Sequence, residues 1–453
     1  MARDNKRHGK RAIWLPVPVA VSFFTMLADA SGTGFELREQ SATSQGASLA
    51  GAAAKSDDPS FLYFNSASMA WLPGTQAAVV GSGVFGQLDA QTGSASRTAA
   101  VGSSAITGSL GRDAAQDAFV PALHGSVALG ERWHLGISVT SPWGLVTKYP
   151  ADFIGRYHAL TSSLRTINIT PSVAWRPLPN LAVGAGLQIQ YADARLSQAV
   201  DLGAVGFLNP ALRRAGFRPG VADSRATVTG DDTAFGWQVG AQWRPIIGTQ
   251  LGAAFRSAIF HNLGGDARFD GVPTAVAAGF ASARGQAKLA TPESLTLGFS
   301  QQIGERWTLL TGAEWTNWSR FRDLVVRFDD GRAPSVTQER WRDSWFLSLG
   351  AEYRVNDALV VRSGIAWDQT PVPNGTRTPR IPDTDRYWLS TGASWQPAKG
   401  VTFSAAYTHI VADEARVRLR DSGPGTDDFL RGDLTTNYSA SVDIVSIQAS
   451  FAF

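Results

Sequence analysis

The sequence predicts an all-β fold: a transmembrane antiparallel β-barrel of about 14 strands with an N-terminal lumenal plug. Three observations carry this reading. Apolar/polar alternations of about 9–12 residues recur from residue 76 onward, short and long connections alternate between them, and aromatic residues gather at the strand ends. The mean hydropathy of −0.08 argues against membrane helices but not against a barrel, whose strands alternate apolar and polar residues. With 453 residues, 46 Gly, 15 Trp and no Cys, the chain suits one large β architecture. Its stability must come from a source other than disulfides, such as barrel closure.

At the N-terminus, Arg3, Lys6, Arg7, Lys10 and Arg11 precede an apolar run over 12–28 and then Ala28-Asp29-Ala30. This order predicts a secretory signal peptide over 1–30. The run falls short of the ~20 residues of a spanning helix and contains Pro16 and Pro18, which argues against an uncleaved anchor. Those first 30 residues hold five of the 41 basic and two of the 38 acidic residues. The remainder is balanced, so there is no electrostatic case for a nucleic-acid partner.

Residues 31–74 are expected to form the plug. Gly, Ala and Ser dominate there, no apolar period persists, and the segment ends in Phe61-Leu62-Tyr63-Phe64-Asn65-Ser66-Ala67-Ser68-Met69. The barrel is expected over 75–453, with strands near 76–88, 119–129, 133–141, 166–175, 181–192, 233–243, 249–260, 292–303, 307–317, 343–354, 359–368, 387–396, 401–411 and 439–453. Six connections are short turns and seven are long loops, in strict alternation. That is the two-sided asymmetry of an outer-membrane barrel. Trp133, Trp175, Trp243, Trp307 and Trp395 sit beside short turns, while Trp315, Trp345, Trp367 and Tyr387 lie near long loops. Two aromatic belts match two membrane interfaces.

The last strand alternates most cleanly, with Val445, Ile447, Ala449, Phe451 and Phe453 on one face. Its terminal phenylalanine resembles the signal by which the barrel-assembly machinery recognises such proteins. The same parity points Leu295, Leu297, Leu309, Trp345 and Leu347 to lipid, and Arg256, Glu314, Glu352 and Arg362 into the lumen. Charges facing lipid at mid-bilayer would cost a few kcal/mol each.

Several stretches resemble the FadL/TodX family of outer-membrane transporters for long-chain fatty acids and hydrophobic compounds. They are SPWGLVTKYPADFIGRY (141–157), FRSAI (255–259), TPESLTLGF (291–299), TNWSRF (316–321) and TPVPNGTRTPRIPDTDRYWLSTG (370–392); GFELREQSATSQGASLAGAAAKSDD (34–58) resembles the family's hatch. The resemblance implies a fourteen-stranded barrel, a hatch in its lumen and an inward kink in the third strand that opens the wall sideways. Pro142, Trp143 and Gly144 fall where that kink is expected, since proline lacks a ladder donor and glycine tolerates unusual dihedrals. An ordinary strand end is the other reading of that step. The family's hatch commonly carries Asn-Pro-Ala, and here Asn65, Ser66 and Ala67 occupy those positions, so this part of the plug has a less fixed backbone.

Catalytic chemistry has little to stand on. Only His124 and His134, on neighbouring strands with lumenal parity, could serve a hydrolase, and hydrogen-bonded structural roles suit them better. No cluster has metal-ligand spacing and no glycine-rich phosphate loop occurs, so no cofactor is expected. Transport has more content. The loops over 199–222, with Phe207, Leu208 and Phe217, and over 272–289, with Phe280, are apolar for exposed segments and are candidates for capturing a hydrophobic small molecule. Arg256 and Arg362 either hold a carboxylate head or pair with Glu314 and Glu352. A shift of the hatch at Phe64, Asn65, Ser66 and Ala67 is expected to open the third strand. The expected setting is the outer membrane of a Gram-negative bacterium, as a monomer among outer-membrane lipid and lipopolysaccharide. The rival reading is a non-transporting barrel, an adhesin or structural protein, whose lumen would be densely filled.

Overall fold

The computed structural model describes residues 34–453 except residue 427; the expected signal peptide lies outside the described residues. The chain enters the barrel wall with β1 (Thr75–Ser96), β2 (Ala118–Ala128), β3 (Trp133–Thr140) and β4 (Gly144–Lys148), followed by β5 (Thr161–Leu178), β6 (Leu181–Asp201) and β7 (Asp223–Trp243). Next come β8 (Thr249–Arg256), β9 (Ile259–Asp270), β10 (Ala283–Thr291), β11 (Ser294–Ile303) and β12 (Trp307–Thr316). A hairpin of β13 (Asp323–Phe328) and β14 (Ser335–Gln338) follows, with β13 pairing on β10. Then β15 (Ser344–Asn356), β16 (Leu359–Asp368), β17 (Arg386–Ala398), β18 (Val401–Ala412), β19 (Ala415–Leu419) and β20 (Asp433–Ala452) complete the sheet.

Pairing of β20 with β1, from Gln76↔Ala452 to Ser96↔Asp433, closes the ring and leaves it without an edge. Five wall positions are each shared by two collinear segments: β3 with β4, β8 with β9, β11 with β10, β12 with β13, and β18 with β19, while β14 only pairs back on β13. The twenty strands of the described sheet thus form a closed barrel of fourteen antiparallel staves, as the alternation predicts.

Several strands run beyond their expected ends. β7 begins at Asp223 rather than near 233, and its ladder with β6 continues to Asp201↔Asp223. Hydrophobic alternation marks only the height where lipid touches the wall, whereas the backbone ladder continues above it. Outward parity follows the sequence reading: Trp345, Leu347, Leu349, Val445 and Ile447 are exposed, and Glu352 and Arg362 are buried on the inner side. At the short-turn end, Trp133 stacks on Trp175 with ring centroids 5.8 Å apart.

Residues 34–74 fill the lumen and are almost wholly buried. A short helix, Ala42–Gln45, is capped by Ser41, and two 3₁₀ turns, Pro59–Leu62 and Ser66–Trp71, are capped by Asp58 and Asn65. On one side the plug meets wall glycines at backbone distance. A Cβ at Gly184 would lie 2.5 Å from the Ala67 nitrogen, at Gly252 2.0 Å from the Ala53 oxygen, and at Gly364 2.3 Å from the Ala47 carbonyl. Only glycine allows this approach. On the other side polar side chains bridge plug and wall: Gln45 donates to Thr408 at 3.1 Å, the Gln448 side chain accepts from Ala42 N–H at 3.0 Å, and Ser48 donates to Ser390 at 2.8 Å.

Candidate functional site

The third stave breaks at 141–143. β2 pairs with β3 only from Leu123↔Val139 downward, while its other edge pairs with β1 from Val127 up to Ala118. β4 pairs with β5. Between β2 and β4 the wall therefore has a window, closed above by the Ala115↔Thr147 bridge.

The start of the plug fills it. Leu37 N–H donates to the Pro142 carbonyl at 2.8 Å and Gly144 N–H donates to the Phe35 carbonyl at 2.9 Å, making Glu36 and Trp143 an antiparallel bridge. Just below, the Gln40 side chain donates to the Ser141 carbonyl at 3.0 Å, and His124 Nε2 donates to the Gln40 carbonyl at 3.0 Å. A Cβ on Gly144 would come within 2.8 Å of Leu37, so glycine lets the plug lie against the break. Pro142 has no N–H to leave unpaired there.

Phe35 is the anchor of this segment. Its ring meets Trp318 edge-on at 4.6 Å, Trp341 at 5.7 Å, Phe321 at 5.8 Å and Trp143 at 5.9 Å. The same ring forms one wall of an apolar cavity of about 100 Å³, lined also by Leu145, Leu164, Leu263, Leu289 and Leu324. An outer cavity of about 290 Å³ adjoins it, lined by Phe269, Phe280, Phe328 and Thr337. Leu196, Val228, Ala267, Val326 and Arg380 belong to both.

Arg380 is buried where the two cavities meet. Its guanidinium donates to Gln198 at 2.9 Å, to Ser162 at 3.2 Å and to the carbonyls of Thr161 and Ser197 at 3.4 Å, all uncharged acceptors. Glu339 lines the inner cavity and accepts from Trp341 Nε1 at 3.0 Å. Burial pushes the Glu339 carboxyl up to about 7 and pulls Arg380 down to about 10. Arg380 thus keeps its charge at neutral pH, while Glu339 titrates there.

The residues singled out from the sequence separate into groups. Phe280 lines the outer cavity and packs on Phe269 at 5.4 Å. Phe207 and Leu208 belong to a separate pair of short helices, Leu202–Phe207 and Pro210–Arg214, where Phe217 packs against Gly206; none of the three lines either cavity. The expected 272–289 loop passes into strand β10 at Ala283, and that strand carries Leu289 into the inner cavity.

Both lumenal arginines engage the protein. Arg362 pairs with Glu352 at 2.8 Å, and Glu352 also holds Lys55 of the plug at 2.8 Å. Arg256 donates to the Tyr63 carbonyl at 2.8 Å and lies over the Tyr63 ring. The expected Arg256–Glu314 partnership is replaced by an Arg38–Glu314 ion pair, because the plug brings Arg38 to that wall.

Asn65 donates to the carbonyls of Ala53 at 2.8 Å and Ala241 at 3.0 Å. Ser66 accepts from Gln238 at 2.7 Å, a bond proline could not make. Phe64 packs edge-on to Tyr63 at 5.0 Å.

Phe35, Glu339 and Arg380 carried no role in the sequence reading. Phe35 had a signal, as the first large apolar residue of a small-residue segment. Arg380 stands in a family-like stretch but faces the lumen only because the loop before β17 folds back.

Residues 21–453 match the family described as outer membrane protein transport protein (OMPP1/FadL/TodX). A long-chain fatty acid transport protein of Escherichia coli O6:H1 is 26% identical over 427 residues, covering 88% of this chain and 92% of that protein. The crystal structure of a Pseudomonas aeruginosa FadL homologue superposes with a TM-score of 0.84 at 26% identity, covering 92% of this chain and 99% of the other. The toluene transporter TbuX of Ralstonia pickettii shares the fold, with a TM-score of 0.63 at 18% identity over 91% of this chain and 99% of its own.

Proposed function

Because the chain belongs to the OMPP1/FadL/TodX family of outer-membrane transporters for hydrophobic compounds, we propose that it takes up long-chain fatty acids, and hydrocarbons of similar apolar character, without an energy source. Ligand enters the outer cavity beside Phe280, passes to the inner cavity at Phe35, and leaves sideways through the break in the third stave. One residue carries this reading: the Phe35 ring walls the inner cavity while its carbonyl accepts Gly144 N–H across the wall break.

Magnitudes favour such a route. About fifteen methylenes prefer an apolar surface to water by roughly 12 kcal/mol, so a water-filled pore gives the ligand no path. Apolar sites in series do. A cavity of about 150 Å³ admits benzene, whereas the inner cavity is about 100 Å³. Ligand must therefore displace Phe35 to occupy it, and displacing Phe35 pulls on the two backbone bonds that close the window. An acyl chain in the cavities leaves its carboxylate beside Arg380, where a charge-assisted hydrogen bond can form. Arg256 holds the hatch directly and Arg362 through Glu352 and Lys55 in this scheme, and Phe64 to Ala67 form the part that stays seated while residues 35–37 move.

The apolar cavities favour transport over an adhesin or structural barrel. Uptake of labelled oleate and toluene by cells lacking their own transporter tests the proposal. Saturable uptake of oleate is expected; no uptake of either compound by correctly inserted protein overturns it.

A further inference from the structure

Outside the lumen, the long-loop ends of β15 to β18 carry a second, polar pocket of about 730 Å³. Its lining includes Arg342, Asp343, Gln369, Asp385, Asp413 and Glu414, with Arg416 and Arg418 above them. Parity places it on the outer face. The register that exposes Trp345, Tyr387 and Val411 to lipid also turns Asp343, Asp385 and Asp413 outward. One extra residue between β18 and β19 shifts the phase, so Arg416 and Arg418 face out opposite Asn437 and Thr435 while Val417 and Ala415 are buried. Below it the outward face carries the apolar Leu347, Ile365 and Leu389, with the His409–Asp443 pair beside Leu389.

The charges in the pocket are mixed, and their engagement differs. Arg377 is buried and holds the loop through the Asp383 carbonyl at 2.8 Å and the Asn374 side chain at 2.7 Å. Asp343 accepts from Trp315 at 3.2 Å and Asp385 from Thr370 N–H at 2.9 Å. Arg342, Arg416, Arg418, Asp413 and Glu414 are solvent-exposed, with Arg416 and Glu414 3.7 Å apart as an open surface pair. A ligand bearing only phosphate would meet the carboxylates as well as the arginines, and a neutral sugar would have no use for three guanidinium forks. A phosphorylated saccharide uses both, its phosphate on arginine and its hydroxyls on carboxylate.

We propose that this pocket binds the phosphorylated saccharide headgroup of an outer-leaflet glycolipid, phosphate on Arg342, Arg416 and Arg418, with the acyl chains lying on the apolar residues below. The site is separate from the transport path and stands whether or not the transport reading does.

Purified full-length barrel in zwitterionic detergent, probed with diphosphoryl lipid A by native mass spectrometry, tests this. Lipid A is expected to stay bound and to weaken at least tenfold in R416E/R418E. R342Q, a milder second variant, is expected to weaken it severalfold, and R306E at a short turn to leave it unchanged. Dephosphorylated lipid A is expected to bind at least tenfold more weakly than the diphosphoryl form. Equal binding by wild type and R416E/R418E overturns the proposal. So does equal displacement by phosphatidylglycerol, which would mark a general anionic-lipid surface, or by inorganic phosphate, which would mark a simple anion site.

Discussion

Two of the interruptions in the barrel wall are closed by different means. At the third stave the gap between β2 and β4 is filled by plug backbone, through Leu37 N–H to Pro142 and Gly144 N–H to Phe35. At the seventh, β8 gives way to β9, and residues 232–237 of β7 lie between the end of one ladder at Gln238↔Arg256 and the start of the next at Asp231↔Gly264. There the wall closes itself. Ser257 N–H donates to the Trp237 carbonyl at 2.8 Å, Trp237 N–H donates back to the Ser257 hydroxyl at 2.8 Å, and Ile259 lies so close over Gly236 that a Cβ would meet it at 2.6 Å. Under the proposed route a broken ladder acts as a gate where its filler is not part of the wall, and the first break is filled by plug backbone while the second is closed by the wall's own residues.

A cross-link gives the largest expected effect. Glu36 and Trp143 form a non-hydrogen-bonded antiparallel pair, the geometry that brings Cβ atoms to disulfide distance, and the chain has no cysteine to interfere. Oxidised E36C/W143C is expected to lose uptake completely and to regain it on reduction. Unchanged uptake in the oxidised protein, with the disulfide verified by mass, would remove the gate from the third stave.

Substitutions at the two breaks come next. Phe35→Ala should lower oleate uptake about tenfold by uncoupling ligand from the window, with the urea midpoint of the barrel little changed. Ile259→Ala should do the reverse, costing roughly 2–4 kcal/mol of stability through the cavity it leaves while uptake stays within about twofold. Matching uptake losses in both variants would erase the distinction between the breaks.

A smaller effect comes from pH. The folded value for Glu339 is raised by burial to about 7, so the stability of its neutral form is fully present below the ordinary carboxyl value of 4.5 and is lost as pH rises through about 7. Arg380 stays charged throughout this window. Oleate affinity, read by fluorescence competition, should therefore fall severalfold between about pH 6 and 8, while toluene uptake stays flat. Glu339→Gln should flatten the oleate profile.

Ser66→Pro is the smallest. It gives up the Gln238 hydrogen bond, worth about 0.5–1.5 kcal/mol, and gains about 0.4–1 kcal/mol from a stiffer unfolded chain. Asn65 already holds the extended backbone that precedes a proline. Stability should change by less than about 1 kcal/mol and uptake not at all.

What was legible in the sequence follows from what each residue answers to. The staves were legible because lipid on one side and the lumen on the other impose a period of two, as in Val445 to Phe453. The break at Pro142 and Gly144 was legible as a pair of ladder-breaking residues, but what fills it was not. Phe35 meets Trp143 across 108 positions of sequence, and no local pattern records such a partner. The second break left even less trace, because Ser257 and Ala258 continue the small-residue texture of β8. Apolar loops were visible as composition, yet composition could not separate Phe280, which reaches a cavity, from Phe207, which packs within its own helical pair. Arg256 and Arg362 were recognised as lumenal by parity. The plug residues that join them, Tyr63 under Arg256 and Lys55 on the Glu352 that Arg362 also holds, lie in a segment without periodicity, so parity could not reach them.

The glycines at Gly184, Gly252 and Gly364 set how the plug and barrel come together. Interlocking side chains would act as teeth, holding the plug in one register. At these three points main chain rests on bare main chain, so the register is left to the teeth elsewhere, Gln45 on Thr408, Ser48 on Ser390 and Lys55 on Glu352. Retention of the plug therefore falls to those polar teeth, and the tip at Phe35 is fastened separately, through Leu37 N–H to Pro142 and Gly144 N–H to Phe35.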